Sequence, residues 1–210
     1  MKTDVTHIVQ NQSSREGGRP KLIVLHTTEG FDNDQGLVNL GHFFDTASVA
    51  ASSHIANDRR GRDARYVADE MKSWTQCNLN PVALSIEQIG YSAFTTDEWM
   101  RQRTRQLKNT AIWVAYWSKR YDIPISMGKN SGSTATKPGV VQHKHLGAAG
   151  CGHSDCGPGY PMRYVLLLAR LIREEHFEKN GDSRKAKRIR KKVNRIRKRY
   201  GLPKMGLPKS

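Results

Sequence analysis

Apolar positions fall into short runs with polar ends. Leu22-Ile23-Val24-Leu25 follows the turn signal Gly17-Gly18-Arg19-Pro20 and predicts a buried strand that ends at His26. Val82-Ala83-Leu84-Ser85-Ile86 predicts a second strand, with Glu87 at its end and Gly90 closing it, and Val140-Val141-Gln142 a third. Between the first two, residues 36–44 read as a helix and residues 53–67 as a hairpin turning at Arg60-Gly61-Arg62. Thr95-Thr96-Asp97-Glu98 is a helix start, with a threonine cap and acidic residues in the first turn. Trp99, Arg103, Leu107, Thr110, Val114 and Trp117 then recur at helical spacing, predicting one helix that stops before Ile123-Pro124. Residues 129–139 are rich in Gly, Ser and Thr and read as a loop, and residues 164–177 as the last helix of the body. Strands alternating with helices predict an α/β domain around a mixed central sheet flanked by helices.

Charge divides this picture in two. The chain has 210 residues and a formal net charge of +16. Residues 178–210 hold 14 Lys/Arg against 2 Asp/Glu, a net +12, so a mildly basic domain at 1–177 carries a strongly basic tail at 178–210. From Arg184 to Tyr200 the tail spaces Ile189, Val193, Ile196 and Tyr200 as one narrow apolar stripe on a cationic, partly ordered helix. The stripe can pack on the body, or the helix can bind anionic cell-wall polymer or lipid, or nucleic acid through its phosphates. The Gly/Pro-containing end, 201–210, cannot continue the helix. Three cysteines, Cys77, Cys151 and Cys156, are too few for a disulfide framework, so a reduced or metal-linked role is expected, with a small Cys151–Cys156 disulfide as the alternative. No secretory signal and no membrane-spanning apolar run is visible.

The polar residues that end the predicted strands are the candidates for chemistry, because side chains beyond the carboxyl ends of neighbouring strands converge. They are His26-Thr27-Thr28, Glu87, the pair His143-x-His145, and Cys151-Gly152-His153-Ser154-Asp155-Cys156. A catalytic zinc takes three His, Asp, Glu or Cys ligands and leaves one position open, and these segments offer enough donors.

The ordered set of His26-Thr27-Thr28 after a strand, Ser53-His54-Ile55, Trp74, Asn80, Ser85-Ile86-Glu87-Gln88-Ile89-Gly90, His145 and His153-Ser154-Asp155-Cys156-Gly157-Pro158-Gly159 resembles the type 2 N-acetylmuramoyl-L-alanine amidases. This family includes phage endolysins and shares its fold with peptidoglycan recognition proteins. The resemblance runs from about Leu22 to Pro161 and excludes the tail. It implies a Zn2+ hydrolase, monomeric, that cuts the amide between N-acetylmuramic acid and L-alanine in bacterial peptidoglycan. It also implies the ligands His26, His145 and Asp155, with His143 as a neighbour in reserve. Glu87 falls where the family has a general base, and His153 where a lysine commonly stabilises the tetrahedral intermediate. His54 and Trp74 are expected to line the substrate groove with the 129–139 loop. Two positions depart from the family pattern: Cys156 replaces a proline and competes with Asp155 as ligand, and Ser53 stands where some members have a catalytic tyrosine. By analogy with phage lysins, the enzyme is expected to be made in the host cytoplasm and to reach the wall after membrane permeabilisation. A zinc-free peptidoglycan-binding module and a nucleic-acid-binding protein are the rival readings.

Overall fold

The computed structural model describes residues 1–127, 137–179 and 183–206. Among the described residues eight strands are formed, β1 (Val5–Thr6), β2 (Gln12–Ser14), β3 (Leu22–Thr27), β4 (Ile55–Asn57), β5 (Asp63–Arg65), β6 (Met71–Ser73), β7 (Ala83–Gln88) and β8 (Gly139–Gln142). The helices are α1 (Gly36–Asp45), α2 (Thr96–Gln102), α3 (Thr104–Tyr121), α4 (Met162–Ile172) and α5 (Arg184–Arg199). Six strands make one sheet in the order β1-β5-β4-β7-β3-β8, while β2 and β6 pair separately. The central strand β3 is parallel to both β7 and β8, and β4 is parallel to β7. All the residues of β3 are buried, which is why it reads as a continuous apolar run. The expected hairpin is present as β4 antiparallel to β5.

Alternation along the strands separates two faces. Ile23, Leu25, Leu84, Ile86 and Val140 point into a core built with α3, α4 and α5, where Trp99, Trp113 and Trp117 are fully buried. Leu22, Val24, Ala83 and Val141 point to the other face. By the same alternation, His26 and Glu87 lie on this second face, away from the large helices.

The predicted capping box is present: Thr95 Oγ1 accepts from the Glu98 N–H, and the Glu98 carboxylate accepts from the Thr95 N–H. The single helix expected beyond it is broken at Arg103, between α2 and α3. At the break Arg103 leaves helical geometry and its guanidinium turns inward, donating to Asp32 and to the Ile89 carbonyl and covering the Phe94 ring at 4.2 Å. The last body helix runs as α4 and then a π-type turn, Arg173–Phe177.

The expectation for the cysteines is corrected. Cys77 and Cys151 form a disulfide across 74 residues, and Cys156 is the buried free thiol. The bond joins two 3-10 turns, Cys77–Val82 leading into β7 and His143–Gly150 leaving β8, which become neighbours only once both strands flank β3. In the tail, Ile189 and Val193 are buried in the same core as α3 and α4, with Ile196 and Tyr200 packed against it. The apolar stripe is therefore used against the body. Most of the predicted 129–139 loop lies outside the described residues.

Candidate active site

Because β3, β7 and β8 are parallel, their carboxyl ends share one edge of the sheet, and the polar residues there are set by register. His26 pairs with Glu87 across β3 and β7, so both side chains emerge side by side. Across β3 and β8 the last pair is Leu25 with Gln142, and the next residues on the two chains are His26 and His143. The His26 and His143 Nδ1 atoms approach to 3.1 Å. The Asp155 carboxylate comes in from the following loop, 3.1 Å from His143 Nδ1 and 3.2 Å from His26 Nδ1. The Thr27 N–H, 3.4 Å away, also donates to it.

The structure thus brings His26, His143 and Asp155 together, and the expected ligand His145 is corrected to His143. The chain leaves β8 at Gln142 and turns at once into the His143–Gly150 helix, so strand alternation does not extend to residue 145. There His145 Nδ1 accepts the Gln142 N–H at 3.4 Å instead. Cys156 does not compete with Asp155, since its Sγ faces the helix side of the sheet, 3.6 Å from Gln88 Nε2.

The three ligand-type atoms lie within 4.8 Å of one another. Three lone-pair-bearing atoms this close repel unless a proton or cation sits among them. A tetrahedral ion with bonds of about 2.0–2.1 Å holds its ligands roughly 3.3 Å apart, close to the 3.1 and 3.2 Å contacts here. The Nε2 atoms of His26 and His143 are buried without a partner among the described residues, leaving those nitrogens to carry the ring protons while Nδ1 binds. The donor set therefore fits a metal such as zinc. Its electrostatics agree. Burial pushes His26 towards the neutral form that a ligand needs, against the pull of Asp155. In the metal-free protein, where Nδ1 carries the proton instead, burial pushes Asp155 up, but hydrogen bonds from His143 and His26 outweigh it and hold the carboxylate ionised, well below its usual range.

The centre opens into a cavity of about 460 Å3. Glu87 lines it with a buried Oε2 that has no partner among the described residues. Burial, and then the negative charges of Asp155 and Glu29, push its carboxyl well above the ordinary value. His153 is exposed at the rim, its ring stacked on His143 with centroids 4.5 Å apart. Trp74 also lines the cavity, its indole N–H anchored on Ser13 Oγ at 3.0 Å.

His54 is corrected as a substrate contact. It is fully buried and lines no part of this cavity, because Arg15 at 2.8 Å, the Ser85 hydroxyl at 2.9 Å and the Met71 carbonyl at 3.1 Å hold its ring inside the fold. Burial, reinforced by the Arg15 charge, keeps it neutral. The sequence pattern also gave no sign of Phe31, Phe43 and Glu29, which line the cavity from the β3–α1 loop and from α1. Their place was hidden because nothing local ties an exposed Phe to a distant strand end.

The family profile for N-acetylmuramoyl-L-alanine amidase matches residues 16–159. The chain belongs to that family, the type 2 amidases. No curated protein gives a significant match. Among solved structures, a selenomethionine derivative of AmpD superposes with a TM-score of 0.59 at 16% identity, over 79% of this chain and 99% of that one. The Staphylococcus aureus hydrolase AmiA, in complex with its ligand, gives 0.59 at 18% identity over 88% and 89%. The PlyG catalytic domain gives 0.53 at 17% over 81% and 94%. These likenesses carry the amidase fold. Its mostly parallel sheet is what places the strand ends of this chain at one edge.

Proposed function

We propose that the protein is a zinc-dependent N-acetylmuramoyl-L-alanine amidase that cuts the amide between the lactyl group of N-acetylmuramic acid and the L-alanine of the stem peptide in bacterial peptidoglycan. The observation that carries this reading is the convergence of His26, His143 and Asp155 beside the unpartnered carboxyl of Glu87 in one cavity. His26, His143 and Asp155 would hold the metal, which when bound supplies Lewis acidity towards water and the scissile carbonyl. Glu87 accepts the proton of the attacking water and delivers it to the leaving nitrogen, a role suited to a carboxylate that lines the cavity beside the metal ligands with an unpartnered oxygen. His153 at the rim donates a ring N–H to the oxygen that gains negative charge. Trp74 positions the substrate along the cavity wall.

The family includes endolysins, and several structures of like fold are endolysins, among them a Clostridium intestinale enzyme. On that basis we assign the protein to host lysis by a phage, released to the wall after membrane permeabilisation. The cationic outer face of α5 serves contact with anionic wall polymer or lipid, because its apolar stripe is already occupied by the body.

A soluble muramoyl peptide tests the chemistry. Metal-stripped protein should be inactive, and one equivalent of zinc should restore release of a peptide with a free L-alanine amino terminus. Activity unaffected by a strong chelator contradicts the zinc assignment.

A further inference from the structure

The cavity is chemically lopsided. His26, His143, Asp155 and the exposed His153 make one part of its lining polar; Phe31 and Phe43, whose rings pack together at a 55° tilt with centroids 5.6 Å apart, make another part aromatic. Among the described residues five large apolar side chains are exposed, and Phe43, at 41%, is the one of these that lines the cavity. It sits on α1, three residues after Leu40 and one before Phe44, both of which also line the wall. Phe31 is held there by a constrained turn. Its φ is 61°, in the left-handed region that a bulky side chain rarely adopts. The Asn33 N–H donates to its carbonyl at 2.7 Å, and Gly36 approaches so closely that a Cβ there would stand 2.0 Å from the Phe31 oxygen. Backbone held in a sparse conformation beside a site is a common sign that the position of its side chain matters to function.

A muramoyl-peptide substrate is lopsided in a matching way, and the assignment of its two ends to the aromatic and polar parts of the lining rests on the amidase reading. The carboxyl of the muramoyl unit is consumed in the scissile amide, so the sugar side is uncharged and presents a ring face of C–H groups and methyls. The peptide side ends in a carboxylate. We infer that the Phe31–Phe43 pair is the sugar subsite, packing against the apolar face of the N-acetylmuramoyl ring, so that the stem peptide leaves past His153. An uncharged ring gains contact and loses little hydration against aromatic faces, whereas a carboxylate there would be desolvated without a partner. The orientation also fixes which end of the substrate tolerates variation: the peptide end meets the open rim.

Two substrates with the same scissile amide separate this idea from its rivals: a muramoyl peptide and a lactoyl peptide that lacks the sugar ring. The zinc-loaded wild type should show the higher kcat/KM on the muramoyl peptide. Phe43→Ala should lower the muramoyl-to-lactoyl ratio of kcat/KM about tenfold, mainly through KM, and Phe43→Trp should restore it. Equal loss on both substrates, or a ratio unchanged in Phe43→Ala, overturns the assignment. If the wild type cleaves neither substrate, the amidase reading fails by itself. The subsite is then decided by binding, read as ring-proton shifts of Phe31 and Phe43 with the muramoyl peptide but not with the lactoyl peptide. Shifts with both, or with neither, contradict it.

Discussion

At the scale of single residues, the centre is made by register. His143 stands beside His26 because Leu22 of β3 pairs with Gly139 of β8, and four steps along two parallel strands end at the two histidines. His143→Ala should therefore abolish stoichiometric zinc binding, while His145→Ala should keep it and change activity by no more than a few fold. Metal content by mass spectrometry checks both. Glu87 carries an opposite pair of effects. As the proton carrier, its replacement in Glu87→Gln should lower kcat by about 10²–10⁴ with zinc retained. In the metal-free protein, a carboxyl with a raised pKa binds more protons folded than unfolded, so stability falls as pH rises from the ordinary carboxylate value through the raised one. Glu87→Gln should flatten that fall and leave the metal-free protein more stable at neutral pH than the wild type. Urea titrations at pH 4 and pH 7 measure it; an unchanged pH slope contradicts the burial argument.

The same scale shows what sequence could reveal. His26 and Glu87 were legible as candidates because each ends an apolar run, and Asp155 because its place matches a family position. His145 was chosen over His143 by spacing along the chain, and spacing carries no information on where a strand stops and a turn begins. His54 looked functional because Ser53-His54-Ile55 matches a family motif, yet its side chain is held by Ser85 and Arg15 inside the fold.

At the scale of elements, two connections invisible in the local pattern hold the site in place. The Cys77–Cys151 bond ties the turn before β7 to the turn that starts with His143. Closing a loop of this length restricts the unfolded chain by about 4.5 kcal/mol at most. Cys151→Ser, or reduction of the wild type, should lower unfolding stability by up to that amount, read by urea denaturation, and should weaken zinc binding as the His143 segment loosens. The second connection is α5 on α4. Its 4, 3, 4 apolar spacing was readable, but whether the stripe met the body or an outside partner was not, since an amphipathic pattern specifies a face and says nothing of what covers it. With Ile189 only 6% exposed in the core, Ile189→Ala should cost about 2–3 kcal/mol. Deleting residues 178–210 should destabilise the body by exposing α4, which calorimetry would show as a lower Tm. A deletion that leaves Tm unchanged contradicts this packing.

At the scale of the whole molecule, charge and chemistry occupy separate regions. The body contains the cavity, and +12 of the net +16 belongs to residues 178–210. On α5, Arg188, Lys191, Lys192, Arg195, Lys198 and Arg199 have no carboxylate partner among the described residues. The proposed binding to a polyanionic wall should therefore weaken steeply with salt, while kcat on a small muramoyl peptide should not. Fold class was legible at this scale because alternating strands and helices admit few arrangements. The order of the strands, with β3 between β7 and β8, was not, since it depends on which buried runs pair across more than fifty residues.

The central claim is that this cavity hydrolyses the muramoyl-alanine amide with a metal held by His26, His143 and Asp155. Mass spectrometry of purified peptidoglycan, digested by wild type, by wild type with chelator and by His143→Ala, tests it most directly. New free L-alanine amino termini should appear with the wild type alone, with the glycan strands intact. New reducing sugar ends, or the same peptides from all three digests, would contradict it.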